Sequence, residues 1–160
     1  MCGIVGVICK KGVLAEVYRE RVNAALKQIR HRGPDGKGIY SDENIILGHV
    51  RLSIIDLTDA GHQPMSISDG NLIISYNGEV YNFKELKQEL SGLGISYKSN
   101  TDTEVILEYF KSHGIAGFKK LNGMFAFSIT DKSNGTSYLV RDRFGIKPLY
   151  YYTDMNKVVF

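Results

Sequence analysis

From Met124 to Phe160 the chain offers four strand-like segments in succession: Met124–Thr130, Ser137–Arg141, Leu149–Thr153 and Val158 onward. Turn-forming residues separate the first pair (Asp131-Lys132-Ser133-Asn134-Gly135) and the last pair (Asp154-Met155-Asn156). Strands joined by so few residues run antiparallel, because a parallel crossover takes about a dozen residues or more. The stretch therefore reads as an antiparallel meander. Its last residues, Lys157-Val158-Val159-Phe160, look like the beginning of an unfinished strand, so the chain is expected to be a truncated piece of something longer.

Upstream, the apolar pattern alternates between two periods. Strands are expected at Gly3–Cys9, Ile45–Ile55 and Leu72–Tyr76. In the second of these, Val50, Leu52 and Ile54 share one face while His49, Arg51 and Ser53 share the other, which puts Arg51 on a polar or pocket-facing surface. Helical spacing links Leu14, Tyr18, Val22, Ala25, Leu26 and Ile29, and that helix should stop at Gly33-Pro34. A second helix runs from Phe83 through Leu86, Leu90 and Leu93, opened by Asn82 with Glu85 three residues on. A third opens on Thr101-Asp102-Thr103-Glu104, a capping-box pattern, and closes near Lys111, His113 and Gly114. Strands grouped in sheets with helices grouped between them imply an α+β fold of layered antiparallel sheets.

With 160 residues, 43% of them hydrophobic and 23% charged, the chain is one domain able to bury roughly 68–70% of its unfolded surface without staples. Its apolar runs are too short to span a bilayer. A net charge of +3, spread along the chain, gives no support to a nucleic-acid partner. Tyr150, Tyr151 and Tyr152 alternate faces of one strand and form no stacking platform for bases.

The first residues, MCGIVGVICKKG, lack the basic segment and cleavage site of a secretory signal, so the expected compartment is the cytoplasm. Removal of Met1 ahead of the small Cys2 would leave an α-amino group and a thiol on one residue. Their intrinsic pKa values, roughly 7.7–8.0 and about 8.5, allow a proton to pass from sulfur to nitrogen near neutral pH. That is a nucleophile and its base in a single residue. The alternative is that Cys2 merely begins a buried strand, as Cys9 is expected to sit in one. Seven residues of strand would hold the two sulfurs roughly 23 Å apart, too far for a metal or redox pair.

Taken in order, the segments MCGIVGV, RHRGPDGKGIY, GHVRLSIIDL, GHQPM, YNGEVYN, SNTDTEVIL, LNGMFAFSITD and VRDRFGIKPLYY resemble the N-terminal glutaminase domain of glutamine-hydrolysing asparagine synthetases. These are class II glutamine amidotransferases, members of the N-terminal-nucleophile hydrolases. The resemblance is collinear over almost the whole chain. It implies a four-layer αββα sandwich, one glutamine amidotransferase domain over residues 1–160, and hydrolysis of L-glutamine to glutamate and ammonia through a glutamyl thioester on Cys2. A C-terminal synthetase domain, absent here, would use the ammonia; ATP and magnesium belong there, and the glutaminase domain needs neither cofactor nor metal. Aspartate is the acceptor the resemblance favours, and a homodimer is left open.

The resemblance also assigns residues to that chemistry. Cys2 is the nucleophile, and the Asn77 amide with the Gly78 backbone N–H forms the oxyanion site; Asn-Gly read alone is a hairpin turn. Arg51 grips the substrate carboxylate, with the backbone of Leu52, Ser53, Ile54 and Ile55 lining the pocket. Asp102 and Glu79 receive the α-ammonium. Asp102 could instead serve only the helix dipole, and Glu79 could be a solvated loop acid. His31, His49 and His62 are expected to be structural, and Arg30 to Asp35 a packed loop bordering the site. Two rival readings remain: an amidotransferase or amidohydrolase with another substrate or acceptor, and a catalytically silent docking module.

Overall fold

The computed structural model describes residues 1–67 and 69–160. Strand β1 (Gly3–Cys9) is followed by a 3-10 turn (Ala15–Tyr18), helix α1 (Arg19–Gln28) and a second 3-10 turn (Arg30–Arg32). Then come β2 (Gly36–Ser41), β3 (Ile45–Arg51), β4 (Met65–Ser66), β5 (Leu72–Val80), α2 (Phe83–Glu89) and α3 (Asp102–His113). Four strands close the chain: β6 (Gly123–Asp131), β7 (Thr136–Arg141), β8 (Tyr152–Thr153) and β9 (Lys157–Val159). Among the described residues they form two sheets, ordered β2-β3-β1-β9-β8 and β4-β5-β6-β7, with each of these strand pairs antiparallel.

Apolar clusters among the described residues define the layers. Val22 and Leu26, one turn apart on α1, pack with Val7, Ile46 and Val50 of the first sheet. Ile45, Leu47 and Ile73 fill the space between the sheets. The second sheet's Ile74, Tyr76, Phe125 and Phe127 pack against Leu86 of α2 and Ile106 and Tyr109 of α3. The order is helix, sheet, sheet, helix: the four-layer sandwich. Period-two alternation explains why all of β3 is buried, since Ile46 and Val50 face α1 while Ile45 and Leu47 face the second sheet. Arg51 has the parity of Leu47 and so points toward the second sheet. Truncating Leu26, 1% exposed, to alanine would cost about 2–5 kcal/mol.

Several local expectations fail for identifiable reasons. The Ile45–Ile55 strand ends at Arg51, because the next two backbone N–H groups go to side chains: Leu52 to the Cys2 sulfur at 3.3 Å and Ser53 to Asp35 at 2.8 Å. The Leu72–Tyr76 strand runs on to Val80 and carries Asn77-Gly78 inside a ladder, so that pair makes no turn. The C-terminal meander is two hairpins in different sheets, β6–β7 in the second and β8–β9 in the first. Asp142 separates them by gathering the N–H groups of Phe144, Ile146 and Lys147. Asn82 holds the N-cap position of α2 as expected, but its side chain makes no cap bond and bridges Lys120 and Asn122 instead. Strands β2 and β4 carry too little apolar signal to have been expected. Among the described residues, no helix is long and apolar enough to cross a membrane.

Candidate active site

The β1–β3 register brings the start of β1 to the end of β3 within the first sheet. Gly3 pairs with Val50, so Cys2 falls beside Arg51 and Leu52. A cavity of about 90 Å³ opens there between the two sheets, and Cys2, Arg51, Asn77 and Asp102 all line it. So do Leu52, Ser53, Ile54, Ile55, Gly78 and Glu79; the structure gathers every residue the sequence had assigned to the site.

The Cys2 sulfur accepts from the Leu52 N–H at 3.3 Å and lies 3.6 Å from the Leu52 carbonyl oxygen, while the Cys2 carbonyl accepts from Arg32 Nε at 3.1 Å. Burial pushes the thiol's pKa up; the Leu52 N–H, the positive N-terminus and Arg51 pull against that. Met1 is itself a wall of the cavity.

Arg51 is buried, and its guanidinium donates to the Thr58 carbonyl at 2.8 Å and to the Asp56 carbonyl. Two donors are thus anchored and the remaining ones stay available to a ligand. Gly61 makes room for the guanidinium, since a Cβ there would lie 2.1 Å from Nη2. The Asp56 carboxylate holds this loop by accepting from Asn100 N–H (2.9 Å), Thr58 N–H (2.9 Å) and Thr58 Oγ1 (2.6 Å). Those bonds, Asn100 first, lower its pKa to about 2.

Across the cavity, Asn77 and Gly78 pair with Ala126 and Phe125. A Cβ at Gly78 would sit 2.3 Å from the Met124 carbonyl oxygen, which is why glycine stands there. The Asn77 side chain is buried to 6% exposure and lines the cavity. Asp102 opens α3, capped by Thr101. Its Oδ2 accepts from the Tyr76 hydroxyl at 2.5 Å and from the Val80 N–H at 2.9 Å. Burial raises its pKa, and the two donors hold the rise in check. Glu79 is exposed at the rim.

Residues 1–160 match the family described as the glutamine amidotransferase domain. The chain belongs to this family.

Asparagine synthetase [glutamine-hydrolyzing] 1 of Bacillus subtilis (strain 168) is 43% identical to this domain, over all of the chain and 25% of the relative. Amidase chry2 of Gibberella zeae is 37% identical over 99% of the chain and 25% of its own length. The chain thus spans about a quarter of these relatives. Among solved structures, a glutamine phosphoribosylpyrophosphate amidotransferase from B. subtilis shares the fold, with a TM-score of 0.77 at 22% identity over 99% of this chain and 41% of the other.

This glutamine amidotransferase domain also enlists residues the sequence reading passed over. Gln63 accepts from the Tyr76 N–H at 2.7 Å and donates to Thr103 Oγ1 at 3.3 Å, tying β5 to the start of α3. Lys147, 3% exposed, reaches the cavity and touches the Met1 sulfur; no carboxylate of the described residues pairs with it. Both stand in segments quoted for the resemblance, but nothing in their spacing sets them apart. His49 is a core residue: it is fully buried, donates from Nε2 to the Tyr76 carbonyl at 3.0 Å, and burial lowers its pKa to about 4. His31 and His62 stay at the surface beside Gln28 and Asp59. The loop after α1 does border the site, through Arg32 on the Cys2 carbonyl and Asp35 on Ser53.

Proposed function

We propose that this domain hydrolyses L-glutamine to glutamate and ammonia, with Cys2 as nucleophile once Met1 is removed. Removal both frees the α-amine and clears a wall of the cavity. The amine takes the thiol proton, and sulfur attacks the γ-carbonyl carbon. Charge building on the carbonyl oxygen is met by the Asn77 amide and the Gly78 N–H. The amine then gives its proton to the departing nitrogen, ammonia leaves, and a thioester joins Cys2 to the glutamyl group. Water, deprotonated by the same amine, attacks the thioester and releases glutamate.

The convergence of a thiol, a guanidinium and a buried carboxylate in one cavity carries this reading. Arg51 matches the substrate's α-carboxylate, Asp102 and rim Glu79 its α-ammonium, and Leu52, Ser53, Ile54 and Ile55 supply the wall between them. No cofactor or metal enters these steps. The length of the relatives supports a synthetase domain following in the same protein, where ATP and magnesium would activate an acceptor, aspartate by likeness to the asparagine synthetases. The cytoplasm is the compartment such metabolism fits. The 37% identity to a protein named an amidase favours one second reading, in which the same site serves another amide or another acceptor. Comparing free L-glutamine with glutamine capped at its α-carboxyl decides between them: hydrolysis of the free amino acid alone supports the glutaminase, and equal hydrolysis of both favours the broader amidase.

A further inference from the structure

Tyr76 belongs to no step of the hydrolysis, yet it lines the cavity with its backbone and its side chain both held. Its N–H is held by Gln63 at 2.7 Å, its carbonyl by His49 at 3.0 Å, and its ring is 3% exposed and packs beside Phe127, with ring centroids 6.3 Å apart. The hydroxyl at the end of this fixed frame reaches Asp102 Oδ2 at 2.5 Å. Because Oδ2 also takes the Val80 N–H, a ligand ammonium is left to Oδ1.

We propose that Tyr76 is a positioning residue for substrate selection, whose hydroxyl holds the Asp102 carboxylate in the orientation that receives the α-ammonium of the ligand. The proposal rests on reading the cavity as a glutamine site. A neutral donor is the group this task needs. A lysine or arginine on Asp102 would cancel the charge meant for the ammonium, whereas a hydroxyl fixes the carboxylate and leaves its charge in place. Burial and the neighbouring Asp102 hold the phenol far above its ordinary pKa, so it stays a donor throughout the working range. The groups facing Asp102 are the Tyr76 hydroxyl, the Val80 N–H and Glu79 from β5, and the Thr103 N–H from α3. Of these, Glu79 and burial favour the protonated acid, so losing the hydroxyl moves the ionisation of Asp102 to higher pH.

The test compares two competitive inhibitors, L-glutamate and glutarate, the second being the same diacid without its ammonium. In a chain verified to begin at Cys2, Tyr76→Phe should weaken L-glutamate about 5- to 20-fold and leave glutarate within about twofold. The acid limb of L-glutamate binding should move to higher pH. Asp102→Asn, which keeps an acceptor for the hydroxyl, should show the same selective loss, and adding Tyr76→Phe to it should change little more. Equal weakening of both inhibitors, or of neither, overturns the role of Tyr76 alone. A wild-type chain that binds neither inhibitor overturns the glutamine reading and this assignment together.

Discussion

Cys2 and Leu52 meet through a 3.3 Å contact from the Leu52 N–H to the thiol sulfur, one residue past the end of β3 at Arg51, and that contact helps to end the strand there. A strand continuing through Leu52 would spend this donor in the ladder. Given to the sulfur instead, it favours the thiolate against the burial that opposes it.

Arg51→Ala removes a two-pronged, charge-assisted grip and should lower kcat/KM for L-glutamine by about 10²–10³-fold, mostly through KM. Steady-state glutamate release measures it. Arg51→Lys should recover only part of the loss, because an ammonium cannot hold the Asp56 and Thr58 carbonyls and a ligand in one plane.

Asn77→Ala should lower kcat by about 10²–10³-fold with little change in KM, since the amide is needed where charge develops. Gly78→Ala should instead damage the fold, because its Cβ would stand 2.3 Å from the Met124 carbonyl oxygen. Circular dichroism and thermal unfolding separate the two outcomes.

Asp102→Asn should bind L-glutamine poorly while unfolding at the same temperature as wild type or higher near pH 7. Burial raises the Asp102 pKa, so the folded state holds its proton more tightly than the unfolded chain does. The carboxylate's contribution to stability is therefore best at low pH and falls as pH rises through the folded pKa. Differential scanning calorimetry of both proteins, without ligand, checks the sign.

His49 gives the opposite slope. Its pKa is about 4 when folded against 6.5 unfolded, so the unfolded chain binds the extra proton between those values. Stability is complete above pH 6.5 and declines as pH falls toward 4, by about 3 kcal/mol in all. Urea midpoints of wild type minus those of His49→Gln, taken across that window, should show the difference shrinking with acid.

The elements that bury one face or stripe were legible in the sequence, and those specified by single side-chain contacts were not. Val22 and Leu26 announce α1 by spacing, and Thr101 announces the start of α3 by its cap. The end of β3 depends on Cys2 and Asp35, which lie 50 and 18 residues from the N–H groups they accept. No local pattern carries such information. Asp142 likewise splits an apparent meander by collecting backbone donors that a propensity argument treats as ladder bonds. At the site, Cys2, Arg51, Asn77 and Asp102 stood out because ordered motifs marked them together. Tyr76 and Gln63 did not, because bracing a neighbour requires only the right distance, and distance across a sandwich is absent from a one-dimensional pattern.

The central claim is that Cys2 is the nucleophile of a glutamine site, and covalent capture tests it most directly. The chain, with its first residue shown to be Cys2 by mass spectrometry, is incubated with a chloroketone analogue of L-glutamine and digested. One adduct per chain on the Cys2 peptide, none on Cys9, and protection by excess L-glutamine is the predicted result. An unmodified Cys2, or labelling that L-glutamine does not slow, would contradict it.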